Sequence, residues 1–323
     1  MLLLVAVVAA PAAWVAKERR QSAFERRAAQ ILVFRGFDVE FVSPYFSTDA
    51  RSQGQSQSRW DEISDFVFGA RIVKVKGAWR DSDDLAVLEG LQNIQELYLA
   101  KYPVEDLSSL SQLASLRTLA LKGTKVSNLT PLAGLTKLQL LDLSGTMIED
   151  LSPLSEMRQL ENLNLCGAEK VSNLMPIINL KNLKTLDLGD TFIKGISPLK
   201  VLSKLESLSL KNTQVKDITP LSGLSNLRTL NLANTWITEV GSLSGLHNLE
   251  DINLDRTGIG DLSPLAGLTT LKDLNLDDTK VSDLAPLMQL GSLTTLRVNY
   301  SRVARIHADE VRKALPNCRV SGP

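Results

Sequence analysis

Late in this chain, carboxylates and carboxamides return to the same places at intervals of 22 residues. Asp251 and Asp273 share one place, Asn253 and Asn275 a second, Asp255 and Asp277 a third, and Arg256 and Asp278 follow directly. If each interval folds into one coil, these side chains stack in columns about 4.8 Å apart. Like charges stacked so closely cost stability unless they are solvated or paired. Two readings follow. The face receives a cationic peptide segment or a divalent cation, or it is a solvated surface with ion pairs from Arg256, Lys272 and Arg297. Phe192 and Trp236 share a further place. They are contact anchors on a rim, or they pack over the turn of the neighbouring coil.

Other chemistry is sparse. The two histidines, His247 and His307, have no fixed Ser or Cys partner in the sequence. No Cys/His cluster has metal-ligand spacing. Gly258-Ile259-Gly260 lies in a turn and opens no long helix, so it is not a dinucleotide fingerprint. We expect no catalytic, cofactor-binding or metal site. The 36 basic residues balance the 36 acidic ones, so no field attracts nucleic acid. Cys166 and Cys318 fall about seven coils apart, roughly 30 Å or more and beyond disulfide reach. Cys166 reads as a small neutral filler.

The elements that must position these residues follow from the period. Units begin at Ile94, Leu116, Leu138, Leu160, Leu183, Leu205, Leu227, Leu249, Leu271 and Leu293, and a degenerate one at Ile72. Every step between Ile94 and Leu293 is 22 except that from Leu160 to Leu183, which is 23. Counting from the first residue, apolar side chains fall at positions 1, 4, 6, 11, 14, 17 and 20. This is the signature of a solenoid, and L-x-x-L-x-L is its leucine-rich form. Positions 3 to 7, as in Thr185-Leu186-Asp187-Leu188-Gly189, alternate like a strand with one buried face. Positions 3, 5 and 7 face out. A Ser or Thr followed by Pro-Leu, as at Ser197-Pro198-Leu199, Thr130, Ser152, Thr219 and Ser263, reads as an N-cap opening a short helical or 3₁₀ turn. The expected fold is an α/β solenoid, with a parallel sheet on the concave face and short 3₁₀ or α turns on the convex face. One coil cannot fold alone, so the array is cooperative and capped at both ends.

The ends differ from the middle. Residues 2–16 carry no charge, and Lys17-Glu18-Arg19-Arg20 follows. A membrane anchor, a signal peptide and a buried segment compete; the abrupt switch to basic residues and Trp14 near the interface favour the anchor. The 15 apolar residues span about 22 Å, short of the ~30 Å hydrocarbon core. Residues 17–34 read as a helix with Phe24, Ala28, Ile31 and Leu32 on one face, 38–42 as a strand and 43–59 as a polar loop. Residues 60–68 read as a helix covering the open end of the first coil. At the far end, 307–315 reads as an amphipathic capping helix stopped by Pro316. The organisation is thus 1–16 anchor or signal segment, 17–71 lead-in and N-terminal cap, 72–300 about ten repeats and 301–323 C-terminal cap.

The motif L-x-x-L-x-L-x-x-T-x-V/I-x-D-L-x-P-L-x-x-L resembles the internalin-like, 22-residue class of bacterial leucine-rich repeats. The layout of apolar start, basic helix and Ala314-Leu315-Pro316-Asn317-Cys318 ending resembles the membrane-anchored members. One departure stands out. The class usually has Asn at position 9, bonding the turn backbones of adjacent repeats. Here Thr124, Thr146, Thr191, Thr213, Thr235, Thr257 and Thr279 fill the column, and we expect a shorter version of the same ladder. The resemblance implies a non-catalytic protein, tethered to a membrane on an undetermined side, that binds a protein or peptide on its concave sheet. The alternatives are a structural scaffold of the cell envelope and a carbohydrate binder, the latter lacking aromatic platforms in the central columns.

Overall fold

The computed structural model describes residues 38–42, 71–76, 85–101 and 103–322, with Glu25, Arg27 and Ala28 of the N-terminal part. Its described residues form one thirteen-stranded sheet in sequence order. The strands are β1 (Asp38–Val42), β2 (Arg71–Lys76), β3 (Glu96–Tyr98), β4 (Thr118–Ala120), β5 (Leu140–Asp142), β6 (Asn162–Asn164), β7 (Thr185–Asp187), β8 (Ser207–Ser209), β9 (Thr229–Asn231), β10 (Asp251–Asn253), β11 (Asp273–Asn275), β12 (Thr295–Arg297) and β13 (Arg319–Ser321). β1 runs antiparallel to β2, and every later neighbouring pair is parallel. The degenerate first unit is in register, with Val75 opposite Leu97. This is the expected leucine-rich solenoid.

Each coil leaves its strand, turns sharply and returns through a 3₁₀ turn on the convex side. Leucines at positions 1, 4, 6, 17 and 20 are excluded from solvent throughout the regular coils. Coils are tied twice by backbone. One ladder is the sheet. The other lies past the turn, where Gln214 N donates to Ile193 O (3.0 Å), Trp236 N to Val215 O (3.0 Å) and Gly258 N to Ile237 O (2.9 Å).

The sharp turn places position 8 in the left-handed region in every coil from Lys101 (φ 64°) to Tyr300 (φ 58°). Gly123, Gly145 and Gly167 fill it early, and Asp190, Asn212, Asn234, Arg256 and Asp278 later. Glycine adopts this conformation without cost, and Asn or Asp tolerates it.

The position-9 threonines differ from expectation. Each is buried. Its hydroxyl donates within its own coil, to the position-6 carbonyl: Thr124 to Leu121 (2.7 Å), Thr146 to Leu143 (2.6 Å), Thr191 to Leu188 (2.6 Å), Thr213 to Leu210 (2.6 Å), Thr235 to Leu232 (2.7 Å), Thr257 to Leu254 (2.7 Å) and Thr279 to Leu276 (2.7 Å). The short side chain reaches only its own turn, so no ladder between coils forms there. Inter-coil side-chain bonds lie elsewhere. Asn226 Nδ2 donates to Ser203 O and Asn248 Nδ2 to Ser225 O, both at 2.8 Å.

The expected Ser/Thr N-caps are also corrected. The 3₁₀ turns have no side-chain cap of that kind. Instead the Asp or Asn at position 13 accepts the N–H of position 15, as Asp150 does from Ser152, Asp217 from Thr219 and Asp261 from Ser263, each at 2.8 Å. Hydrogen bonding from the hydroxyls of Ser152, Thr219 and Ser263, and then from their N–H groups, holds the three carboxyls below their ordinary range. The hydroxyl is one residue too far into the turn; an Asx side chain two residues earlier has the right reach.

At the N-terminal end, Glu25 and Ala28 are buried and Ala28 joins the core. Asn93 belongs to the same column as Asn226 and Asn248, and donates to Glu25 Oε1 (3.3 Å). Glu25 and Ala28 therefore cover part of the first coil. The helix expected at 60–68 lies outside the described residues, as does the 2–16 segment. Among the described residues, no helix is long and apolar enough to cross a membrane. At the other end, helix α1 (Arg305–Ala314) buries Ala308 and Val311, and the segment after it pairs as β13, an extra strand beyond the expected cap.

Replacing Thr213 by Val removes the donor to a buried carbonyl while keeping the shape. We expect a loss of about 1–3 kcal/mol. Chemical denaturation of the full chain checks this; an unchanged midpoint contradicts the assigned role.

Candidate functional site: the acidic end of the concave sheet

Strand register brings the acidic columns together. Asp251 pairs with Asp273 and Asn253 with Asn275 across β10 and β11. With Thr229, Asn231, Thr295 and Arg297 they line a shallow groove of about 250 Å³, floored by Leu230, Ile252 and Leu274. Thr229, Asn231 and Thr295 occupy the same columns but were not singled out from sequence.

Position 5 proves architectural. Asn253 Oδ1 accepts the N–H of Asp255 and Asn275 Oδ1 that of Asp277, both at 3.0 Å. Asp142, Asn164, Asp187 and Asn231 do the same in their coils. Asp187 is therefore not free to vary. Asp277 is engaged as well, accepting the N–H of Asn299 (2.6 Å) and its amide (2.9 Å). This leaves Asp251 and Asp273 as the groove's carboxyls, with Asp255 beyond its lining.

Their counter-charges are not those expected. Lys272 pairs with Glu250 at position 2 (2.5 Å), and Arg228 closes on the same carboxylate from the other side. Glu250 is held below its usual range by these two hydrogen bonds. The column continues as Glu161, Lys184, Glu206, Arg228, Glu250 and Lys272, an alternating row along the sheet edge, with Lys184 on Glu161 at 2.7 Å. This row also escaped the sequence reading, though its 22-residue alternation was visible. It takes Lys272 as a partner from the Asp column. No ion pair joins Arg256 or Arg297 to that column among the described residues. Arg256 and Asp278 occupy the left-handed corner (φ 54° and 52°).

The carboxyls respond to this shortage. Burial raises Asp251, followed by its hydrogen bond to Asp273 and the charges of Asp273 and Glu250, against the pull of Lys272. Burial also raises Asp255; Arg256 opposes this, and Asp277 and Asp278 add to it. Among the described residues, no group of three or more His, Cys, Asp or Glu side chains is arranged to hold a metal ion.

Phe192 and Trp236 are 58% and 56% exposed, past the turn and outside the groove. Lys216 Nζ lies 4.8 Å from the centroid of the Trp236 ring. His307 Nδ1 donates to Ser282 O (2.8 Å) and ties α1 to the last coils. Cys166 and Cys318 are free. The Cys166 thiol, 3.5 Å from Asp190 Oδ2, is pushed up to about 11 by burial and by Asp187 and Asp190. At neutral pH it stays protonated and unreactive.

A family model for leucine-rich repeats in two copies matches residues 181–223 and 225–267. An internalin from Listeria monocytogenes (inlF) is similar at 27% identity and TM-score 0.70, covering 77% of this chain and 79% of that one. Internalin C2 (inlC2) from the same species is 34% identical at TM-score 0.57, covering 58% of this chain and 83% of that one. A leucine-rich repeat protein of Leptospira interrogans shares the fold at 22% identity and TM-score 0.51, covering 73% of this chain and 74% of that one. No curated protein matches.

A carboxyl raised on folding binds its proton more tightly in the folded state. Its penalty is absent below the unfolded value near 3.8 and fully present above the raised folded value. The double variant Asp251→Asn/Asp273→Asn should therefore be more stable than the parent at pH 7, by up to about 1 kcal/mol. The gap should close as pH falls towards 3.8. Thermal melts across this range check it; a variant less stable at pH 7 contradicts the assigned repulsion.

Proposed function

The chain belongs to the internalin-like class of leucine-rich-repeat proteins, and from that premise we propose that its concave sheet binds a protein or peptide partner. Leucine-rich repeats generally serve as non-enzymatic interaction modules, and no described residue group here resembles a catalytic site. The observation that carries the reading is the pair Asp251 and Asp273. Two carboxyls face one another across adjacent strands in a groove, while the nearest lysine is committed to Glu250. A lysine or arginine side chain from a partner relieves that repulsion on binding, and complementary charge speeds encounter and fixes register. The sheet is ordered by its own turns before the partner arrives, so little backbone ordering is spent on binding.

The same proposal includes tethering to a membrane through residues 2–16, whose uncharged run and basic flank support it. A scaffold role in the cell envelope is the alternative, and it predicts self-association of the chain.

Charge reversal at Asp251 and Asp273 to Lys, in the full chain tagged for proximity labelling in its native cell, should remove the labelled partner. A label set unchanged by the reversal sinks the concave reading. In the same cells, deleting residues 2–16 should move the chain from the membrane fraction to the soluble one; equal partitioning refutes the tether.

A further inference from the structure

Away from the groove, the middle coils carry a second exposed surface along the rim. Phe192 and Trp236 both stand at position 10, two coils apart, with Gln214 between them. The backbone under them is tied coil to coil by Gln214 N to Ile193 O and Trp236 N to Val215 O. The backbones that carry the two rings are therefore held about 10 Å apart, two strand spacings. Position 9 points inward, since Thr191, Thr213 and Thr235 are buried. Positions 8 and 10 consequently face solvent side by side.

Position 8 supplies a polar line parallel to the aromatic one. Asp190, Asn212 and Asn234 are all left-handed, at φ 56°, 56° and 52°. Asn212 Nδ2 donates to Asp190 Oδ1 (2.5 Å), and Asn234 Nδ2 to Asn212 Oδ1 (2.9 Å). This chain of bonds fixes the amides before any ligand arrives. Each Asn keeps a second N–H, and the Gln214 amide bonds no side chain among the described residues. Lys216 covers the Trp236 ring from the preceding coil. In the following coil position 10 is Gly258, which brings no side chain against the indole.

We propose that this rim is a binding site for an extended, neutral β-1,4-linked glycan. A hexopyranose with equatorial hydroxyls has an apolar C–H face and a polar edge. Aromatic rings match the face, because they combine large apolar area with little conformational freedom to lose. Amide donors and acceptors match the edge. In such a chain, alternate sugars present the same face, so two rings spaced by two coils meet sugars i and i+2. Gln214 then faces the sugar between them. The apolar area is interrupted by Gln214 and flanked by Lys194 and Lys216, a pattern unlike the contiguous apolar centre of a protein interface. The site is independent of the concave groove, and either stands if the other fails.

The test is calorimetric titration of the full chain with chitotetraose and cellotetraose, each against its disaccharide. Saturable binding of one tetrasaccharide is expected, about tenfold tighter than its disaccharide, because only the longer chain spans both rings. Trp236→Ala and Phe192→Ala should each weaken it about tenfold. Trp236→Phe should retain it. Absence of saturable binding to either tetrasaccharide overturns the proposal. So does binding that survives loss of both rings, or equal affinity for di- and tetrasaccharides.

Discussion

No single coil of this chain can bury its own leucines. Seven apolar side chains in 22 residues point inward from a loop that has no second layer of its own. Only the coil above and the coil below exclude water from them, so the free energy of folding resides in contacts between neighbours. Nearly everything else in the structure follows. The coils must keep one pitch, which two backbone ladders enforce, one in the sheet and one past the turn. The turn between them must be sharp, which forces position 8 into left-handed backbone in every regular coil. The ends must be covered, by Glu25, Ala28 and β1 at one side and by α1 and β13 at the other.

That constraint also divides the exposed surface. Polar residues on the concave face look available for recognition, yet many are spent on the turns. Asn253 and Asn275 hold the strand exits, Asp277 holds Asn299, and the Asp or Asn at position 13 holds the 3₁₀ turns. Glu250 and Lys272 complete a charge row along the sheet edge. What remains free is narrower: position 3, position 7 in some coils, and the rim at positions 8 and 10. The acidic pair Asp251 and Asp273 and the aromatic pair Phe192 and Trp236 belong to this remainder.

The fold was legible because a 22-residue apolar period is a long-range signal repeated ten times. Its register is unambiguous even in the degenerate coil, where Val75 faces Leu97. The strand at 38–42 was legible from alternation alone. The bonding of individual polar residues was not. Thr213 has the same place in sequence whether its hydroxyl reaches the next coil or its own Leu210 carbonyl, and only the geometry of the turn decides. Ser152 looks like a cap because it precedes Pro153, but Asp150 has the reach. The left-handed corner was hidden by its variety, since Gly145, Asn212, Arg256 and Tyr300 share no chemistry, only a backbone angle. In the site, Asp251 and Asp273 were legible from spacing, whereas the loss of Lys272 to Glu250 depends on which side of the strand position 2 faces.

A rigid array of this kind offers a partner one long preformed surface, and recognition is proposed for its concave side. Thr229 lies on that side in the groove, and Ser244 is exposed on the convex side beyond the 3₁₀ turn of its coil. A photo-crosslinking amino acid at one or the other position, in the full chain in its native cell, tests the assignment most directly. A discrete protein adduct is expected from position 229 and none from 244. An adduct from 244 alone, or equal adducts from both, contradicts it.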